Sequence, residues 1–94
     1  MVRYKLSKAA SNDLANLYEH TILNYGIRQA RKYYAGLLAQ FEKLSENPRL
    51  YPKRTVLTPP VRVCAFEAHV ILYSTNKDNR IEIIRIRHDH EDWL

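Results

Sequence analysis

Two arginines and a histidine stand at the end of an isoleucine-rich run, where they could hold an anion. The run Arg80–His88 has four isoleucines within six residues, and β-branched residues in so short a run favour a buried strand. Because alternate residues of a strand share a face, Arg85 and Arg87 are expected about 7 Å apart on one side. This distance is close to the spacing of adjacent phosphates. The pair is therefore either a site for an anionic partner or the solvated face of a basic protein.

The isoleucines also indicate that this strand changes its buried face midway. Ile81 and Ile83 share one face of a regular strand, whereas Ile84 and Ile86 share the other. A β-bulge near Ile83 would reset the phase, and burial of both faces, as in a middle strand, would also account for the pattern. Both arrangements keep the two arginines together on a rigid element.

The other residues that could do chemistry give weaker signals. The segment His88–Asp92 contains two histidines two positions apart, which could chelate a metal only in an extended segment, and no compact third and fourth ligand follows. Cys64 lies in the apolar run Val61–Phe66, where cysteine usually packs as a small hydrophobe. The sequence therefore predicts no metal, no other cofactor and no thiol nucleophile.

Length and composition bound the class of protein. The 94 residues predict a single domain, residues 1–94, with one core. A formal charge of +5 and a pI of about 9.5 favour an anionic partner such as nucleic acid or an acidic protein. One cysteine cannot form an intrachain disulfide, and neither a signal peptide nor a membrane span is evident. A soluble, cytoplasmic protein is expected.

A short strand and two helices are expected to come first. Val2–Leu6 alternates apolar and basic residues, as in a strand with one buried face. Ser7 suits a helix N-cap, and apolar residues at helical spacing follow as far as Tyr25. Gly26 suits the left-handed end of that helix, and a second amphipathic helix follows until Asn47-Pro48 stops it. So short a turn predicts that the two helices pack antiparallel.

Three strands are expected after an irregular connection. Residues 47–60 hold four prolines and could include a short strand at Thr55–Leu57. Val61–Glu67 and His69–Thr75 lie too close together for anything but a hairpin. The turn-forming residues 76–79 then lead into the isoleucine-rich strand. The predicted order of elements is β-α-α-β-β-β.

Several short motifs, in this order and at this spacing, carry a family resemblance. The motifs are Tyr4–Ala10 with Asp13-Leu14, Tyr25-Gly26 with Gln29-Ala30, Leu44 with Asn47-Pro48, the strand His69–Tyr73, and Ile84–His88 continuing to Asp92. Together they resemble the RelE/ParE toxin superfamily, and most closely its ParE branch, over essentially the whole chain. The chain departs from the family pattern where Leu50–Pro52 and Thr58–Arg62 replace glycine-bearing segments around the second strand. The loop there, and any contact that depends on it, is expected to differ.

The resemblance implies both a fold and a biological role. The implied fold is α+β, a helical hairpin packed on a mostly antiparallel sheet. The implied role is the toxin of a type II toxin–antitoxin module, made with a ParD-like antitoxin. For ParE members the resemblance further implies inhibition of DNA gyrase, whereas RelE-like relatives cut messenger RNA on the ribosome.

We therefore expect a toxin that inhibits gyrase by binding and does no chemistry of its own. Its expected target-binding residues are Arg62, Arg85, Arg87, His88 and Trp93. The expected partners are gyrase, with or without bound DNA, and a ParD-like antitoxin in a hetero-oligomer. An acidic, partly disordered antitoxin segment that folds as it wraps the toxin would suit the positive charge.

The alternative is a ribosome-dependent mRNA interferase, an endoribonuclease. Cleavage of RNA needs a base for the 2′-hydroxyl, an acid for the leaving oxygen, and cations for the transition-state charge. The cations could come from Arg62, Arg85, Arg87 and Lys53, and the proton-transfer groups from His88, His90 or Tyr73. A third hypothesis, an inactive copy that only binds an antitoxin, is also open.

Overall fold

The computed structural model describes residues 4–54 and 60–88, which form two helices and five strands. The elements are β1 (Tyr4–Leu6), α1 (Lys8–Tyr25), α2 (Ile27–Glu46), β2 (Lys53–Arg54), β3 (Val61–Phe66), β4 (His69–Thr75) and β5 (Ile81–His88). The predicted order is confirmed, with the two-residue β2 added in the proline-rich connection. The strand suggested at Thr55–Leu57 lies outside the described residues.

The five strands form one sheet in the order β1-β5-β4-β3-β2. β5 therefore lies inside the sheet, as predicted, with β4 antiparallel on one side and β1 parallel on the other. The remaining pairs, β3 with β4 and β2 with β3, are antiparallel. This confirms the predicted α+β fold with a mostly antiparallel sheet.

The helical hairpin begins and turns at the two residues that the sequence indicated. The Ser7 hydroxyl accepts a hydrogen bond from the Ala10 N–H at 2.9 Å, and it donates one to the Ile84 carbonyl at 2.7 Å. It thus caps α1 and fixes the start of that helix to β5. Gly26 has a φ of +91° and joins the two helices by itself. Its N–H donates to the Ile22 carbonyl at 2.9 Å, which closes the last turn of α1.

Both faces of the sheet bury apolar side chains. The main core packs both helices on one face, and its largest fully buried side chains are Leu37, Phe41, Leu44, Ile71, Tyr73 and Ile83. The opposite face, here called the outer face, carries a smaller cluster of Val61, Val70 and Leu72 with Val63 and Ile84 beside them. None of the helices in residues 4–54 and 60–88 is long and apolar enough to cross a membrane.

A β-bulge in β5 explains the change of phase among the isoleucines. Tyr73 pairs with Ile83, but the next β4 residue back, Leu72, pairs with Arg85. Ile84 is therefore the extra residue, and its side chain joins the outer-face cluster. After the bulge Ile86 returns to the main core. The predicted bulge and the predicted burial of both faces are thus both present.

Candidate functional site

The side chain of Arg85 is held by a carboxylate of α1. Arg85 Nε donates to Asp13 Oδ2 at 2.7 Å, and Nη2 donates to Oδ1 at 3.0 Å. The backbone N–H of Ile86 donates to the same Oδ2 at 3.0 Å. Pairing between β5 and β1 ends at Ile83. Beyond that point Asp13 supplies the hydrogen-bond acceptor for the backbone N–H of Ile86. This bidentate geometry fixes the plane of the guanidinium.

Positive charge surrounds Asp13 and lowers its pKa. Burial acts to raise this pKa, but hydrogen bonds from Arg85 and Ile86 and the charges of Arg85 and Arg87 outweigh it. The carboxylate is therefore ionised at neutral pH and offsets part of the positive charge at the end of β5. Asp13 and Arg87 line the same groove, which agrees with the effect of the Arg87 charge on the pKa of Asp13.

Arg85 and Arg87 lie on the same face of β5. In the antiparallel register Arg85 is opposite Leu72 and Arg87 is opposite Val70, and both of these β4 residues belong to the outer-face cluster. Residues directly opposite one another in an antiparallel pair project to the same side. The two side chains therefore leave β5 on the same side, as the alternation predicted, but the guanidinium of Arg85 reaches Asp13 of α1, and Arg87 lines a groove beside that helix. With His88 they form the strand-end cluster, defined as Arg85, Arg87 and His88.

His88 belongs to an aromatic group at the end of the strand. It lies opposite His69, with ring centroids 5.3 Å apart and the planes at 75°. His69 in turn packs against Tyr33 at 5.6 Å, and the Tyr33 hydroxyl oxygen lies 2.7 Å from His69 Nδ1. These contacts connect the end of β5 to the second helix through two side chains that sequence reasoning had not singled out.

Arg62 lies elsewhere. It is 7% exposed, and its Nη1 donates to the backbone carbonyl of Tyr51 in the connection after α2. In β3 it pairs with Tyr73, whose side chain is in the main core. Arg62 therefore projects from β3 to the helix side of the sheet, whereas Arg85 and Arg87 leave β5 on the other side and lie at the end of that strand. The single basic surface expected for the three arginines is replaced by two separate locations.

Tyr73, the predicted proton-transfer tyrosine, is completely buried. Burial raises the pKa of its hydroxyl, which keeps the proton on the oxygen at neutral pH. Within residues 4–54 and 60–88, this hydroxyl and the Nε of Arg62 have no hydrogen-bond partner. The predicted site residue Trp93 and the alternative proton donor His90 lie outside the described residues. In the described ranges no group of three His, Cys, Asp or Glu side chains could hold a metal.

Two grooves flank α1. The Tyr34 groove, about 570 Å³, is lined by Leu6, Ser11, Leu14, Ala15, Tyr18, Arg31 and Tyr34. The His69 groove, about 640 Å³, has walls from α1 (including Asn16 and His20), the start of α2 (Tyr25, Gln29 and Tyr33), the β3–β4 turn, and the ends of β4 and β5 (His69, Arg87 and His88). Periodicity in the sequence places single residues on a helix face, but it does not show where the helix and the sheet separate to form a groove.

Comparisons with known proteins agree with this fold. A family model described as the ParE toxin of type II toxin-antitoxin system, parDE, matches residues 4–93. Toxin ParE1 of Caulobacter vibrioides is 33% identical over 88 residues, which cover 94% of this chain and 90% of that protein. Toxin ParE1 of Mycobacterium tuberculosis is 27% identical over 90 residues, covering 96% and 92% of the two chains.

A solved structure, "Chromosomal ParDE TA system from P. aeruginosa", has the same fold. Its TM-score is 0.78 at 23% identity, and the match covers 94% of this chain and 96% of that chain. The family model spans both helices and all the strands described above. The chain therefore belongs to the ParE family, the toxins of type II toxin–antitoxin systems.

Proposed function

We propose that this ParE-family toxin inhibits DNA gyrase by binding it, alone or with bound DNA, and that a ParD-like antitoxin neutralises it in the cytoplasm. The observation that carries this proposal is the strand-end cluster, in which Arg85 and Arg87 share one face of a rigid strand. Asp13 fixes the guanidinium of Arg85 from behind. A pre-oriented cation pair on a protein of charge +5 suits an acidic or phosphate-bearing target.

Binding is favoured over RNA cleavage by the positions of two predicted nuclease residues. Tyr73 is buried with a raised pKa, so it is poorly placed to take a proton from a substrate. Arg62 is used inside the protein by the Tyr51 carbonyl. The observation that would favour an mRNA interferase is His88, which directly follows Arg87 and could move a proton near a bound phosphate.

The Tyr34 groove supports the proposed antitoxin. Its lining is apolar apart from Ser11 and Arg31. An amphipathic segment could place apolar side chains against Leu14 and Tyr18 and a carboxylate against Arg31. A segment of this kind is acidic and gains order only on binding, which agrees with the positive charge of the toxin. The complex would be a hetero-oligomer of toxin and antitoxin.

Two assays run in parallel test the proposed target. The purified protein is added to a gyrase supercoiling reaction and to a translating extract in which messages are examined for cuts. We expect supercoiling to be inhibited, relief of that inhibition by the co-encoded antitoxin, and intact messages in the extract. Cut messages with unaffected supercoiling would overturn the proposal in favour of the mRNA interferase.

The strand-end cluster is tested with a single substitution and a matched control. Arg87→Ala removes a cation and leaves both hydrogen bonds between Asp13 and Arg85 in place. Loss of a charge-assisted contact with the target, worth about 1.5 to 3 kcal/mol, predicts at least tenfold weaker inhibition. Arg80→Ala removes the same charge from an exposed position at the other end of β5. Inhibition by Arg80→Ala is expected to match the wild type. If a folded Arg87→Ala protein, or the Arg85→Ala, Arg87→Ala double variant, inhibits gyrase as strongly as the wild type, the strand-end cluster is not part of the target-binding site.

A further inference from the structure

A second concentration of positive charge lies away from the strand-end cluster. It consists of four exposed cations, here called the basic corner: Arg49, Lys53, Arg54 and Lys77. Lys53 and Arg54 form the edge strand β2, Arg49 lies in the connection before it, and Lys77 lies in the turn that leads into β5. Because β5 has eight residues, about 25 Å of strand separates this turn from His88. The proposed contacts with gyrase and the antitoxin use none of the four cations.

The chain brings these cations together with few acids among them. No Asp or Glu lies between Glu46 and Glu67, and residues 55–59, which join β2 to β3, carry no charge. Asp78 is the acid of the β4–β5 turn, so four cations and one carboxylate leave the corner with a net charge of +3. Within residues 4–54 and 60–88 the salt bridge is Asp13–Arg85, and no cation of the corner takes part in one.

Hydrogen bonds hold two parts of the corner against each other. Arg49 Nε donates to Asn79 Oδ1 at 3.2 Å, which joins the connection after α2 to the β4–β5 turn. The turn is itself fixed, because Asn76 Oδ1 accepts the backbone N–H groups of Asp78 and Arg80, both at 2.9 Å. The cations of the corner are therefore carried by ordered backbone, and binding has to order mainly their side chains.

The edge strand sets the width of the corner. Lys53 pairs with Arg62 of β3 and Arg54 pairs with Val61, so the two adjacent cations leave β2 on opposite sides. β2 lies two strands from β4, a distance of about 10 Å. Over about 10 Å of its axis a double helix carries about six phosphate charges. A duplex laid across the corner could therefore meet all four cations.

The composition of the corner favours a double-stranded nucleic acid. Protein interfaces usually have an apolar centre, whereas nucleic-acid interfaces are more polar and more positively charged. Leu50 is the large apolar side chain exposed beside the corner. A single strand is usually held by exposed aromatic rings on which its bases stack, but Tyr51, the aromatic residue of this segment, is only partly exposed. A double helix needs no such ring, because its bases are already stacked.

From these observations we infer that the basic corner binds the phosphate backbone of a double-stranded nucleic acid without reading its sequence. Contacts to phosphates position a protein on a duplex and carry no sequence information. Duplex DNA and duplex RNA both present this chemistry. The inference goes beyond the proposed function, because it concerns a different surface and holds whether or not gyrase is the target.

Fluorescence anisotropy with the intact protein tests the inference with three labelled probes: a short DNA duplex, the matching RNA duplex, and a polyglutamate of the same charge. We expect a duplex to bind at about 50 mM salt, and the logarithm of its affinity to fall with log salt at a slope of about −3 to −4. Tighter binding of one duplex assigns that nucleic acid, and equal binding assigns the backbone that both share. Polyglutamate that binds as tightly as the duplexes, or no binding of either duplex, would overturn the inference.

A matched pair of double variants locates the binding surface. Lys53→Gln with Arg54→Gln removes two cations of the corner, and we expect at least tenfold weaker binding of the preferred duplex and a salt slope smaller by about 2. Arg28→Gln with Lys32→Gln removes the same two charges from exposed positions of α2, and both quantities should stay as in the wild type. Equal effects of the two double variants would mean that net charge alone attracts the duplex, which overturns the inference.

Lys77→Gln repeats the test outside the sheet, in case the change in β2 disturbs the fold. It removes one cation from an exposed turn position, and the salt slope should become smaller by about 1. If the slope is unchanged in folded variants of the corner, these charges do no more than protect the edge of the sheet from pairing with other chains, and the inference is wrong. Gyrase is absent from all of these measurements, so failure here leaves the proposed function standing.

Discussion

Asp13 connects the helical hairpin to the strand that carries the candidate site. One carboxylate accepts two hydrogen bonds from Arg85 and one from the backbone of Ile86. Its residue type and its place on α1 are visible in the sequence, but its partner lies 72 positions away. Nothing in the local pattern identifies that partner. Sequence reasoning therefore found the arginine and missed the carboxylate that orients it.

Asp13→Asn is expected to destabilise the fold by about 1 to 3 kcal/mol, because the amide turns an N–H group toward a guanidinium that can only donate. Urea unfolding at pH 7 measures the loss. Asp78→Asn makes the same chemical change at an exposed turn residue, and it should shift the free energy of unfolding by less than about 0.5 kcal/mol. Equal effects of the two changes would contradict a special role for Asp13.

The same pair predicts how stability depends on pH. The pKa of Asp13 is lowered in the folded state from its ordinary value of 3.8, so the folded state favours the ionised form. This contribution is fully present well above pH 3.8, and it is lost as the pH falls through the lower, folded pKa. The difference in unfolding free energy between wild type and Asp13→Asn should therefore shrink in acid. A difference that stays constant from pH 7 to pH 2.5 would show that the ion pair is not its source.

Arg62 and Tyr73 show why a residue can be placed on a strand and still be assigned to the wrong side. In β3 nearly every residue other than Arg62 is apolar. Because apolar and polar residues do not alternate there, the sequence does not show which face of the strand is buried against the helices. The structure pairs Arg62 with Tyr73 on the helix side. The Tyr51 carbonyl then accepts a hydrogen bond from the buried guanidinium of Arg62. Tyr51 lies in a loop whose conformation could not be predicted from the sequence.

Tyr73→Phe distinguishes a structural tyrosine from a catalytic one. The hydroxyl is buried without a hydrogen-bond partner in the described ranges, so its removal should leave stability unchanged or raise it by up to about 1 kcal/mol. Inhibition of supercoiling should be unaffected. Thermal unfolding and the supercoiling assay check both expectations. Loss of activity in a stable variant would instead indicate a chemical role for the phenol.

At the scale of elements, the helices and the last three strands follow from local signals. The cap at Ser7, the break at Gly26 and the isoleucine pattern of β5 each arise from a local constraint that the sequence displays. The two-residue β2 could not be predicted in the same way. It exists because Lys53 and Arg54 pair with the start of β3, a tertiary contact between two stretches whose own β-signals are weak.

Gly26→Ala tests the joint between the helices. At φ +91° and ψ 164°, Gly26 occupies a conformation that other residues rarely adopt, although nothing within 4 Å would collide with an added methyl group. The strain of about 1 to 3 kcal/mol should appear directly as lost stability. Urea unfolding gives the value, and an unchanged midpoint would mean that the joint can relax. Inhibition of gyrase, measured below the unfolding transition, should persist.

For the whole molecule, the separation of surfaces matters most. The strand-end cluster stands at the sheet, while the Tyr34 groove lies between the two helices and β1. Composition predicts a basic protein with an anionic partner, but it does not predict which of these surfaces carries the positive charge. Their positions depend on the packing of both helices against a single face of the sheet.

Arg31→Glu should separate the proposed partners. Reversal of the charge at the Tyr34 groove is expected to weaken binding of an acidic antitoxin segment at least tenfold, since like charges then meet. Inhibition of gyrase should remain, giving a toxin that its antitoxin no longer controls. Lys43→Glu, on an exposed part of α2 outside both grooves, serves as the control. If antitoxin affinity falls equally in both variants, long-range attraction rather than the groove is responsible.

The parallel pairing of β1 with β5 has a consequence for folding during synthesis of the chain. Tyr4–Leu6 must wait for Ile81–Ile83 before they can join the sheet, and contacts so distant in sequence form late. During translation the first strand therefore has no partner in the sheet until residues as far as Ile83 have been synthesised. The parallel edge of this sheet is therefore expected to be the last part of the fold to close.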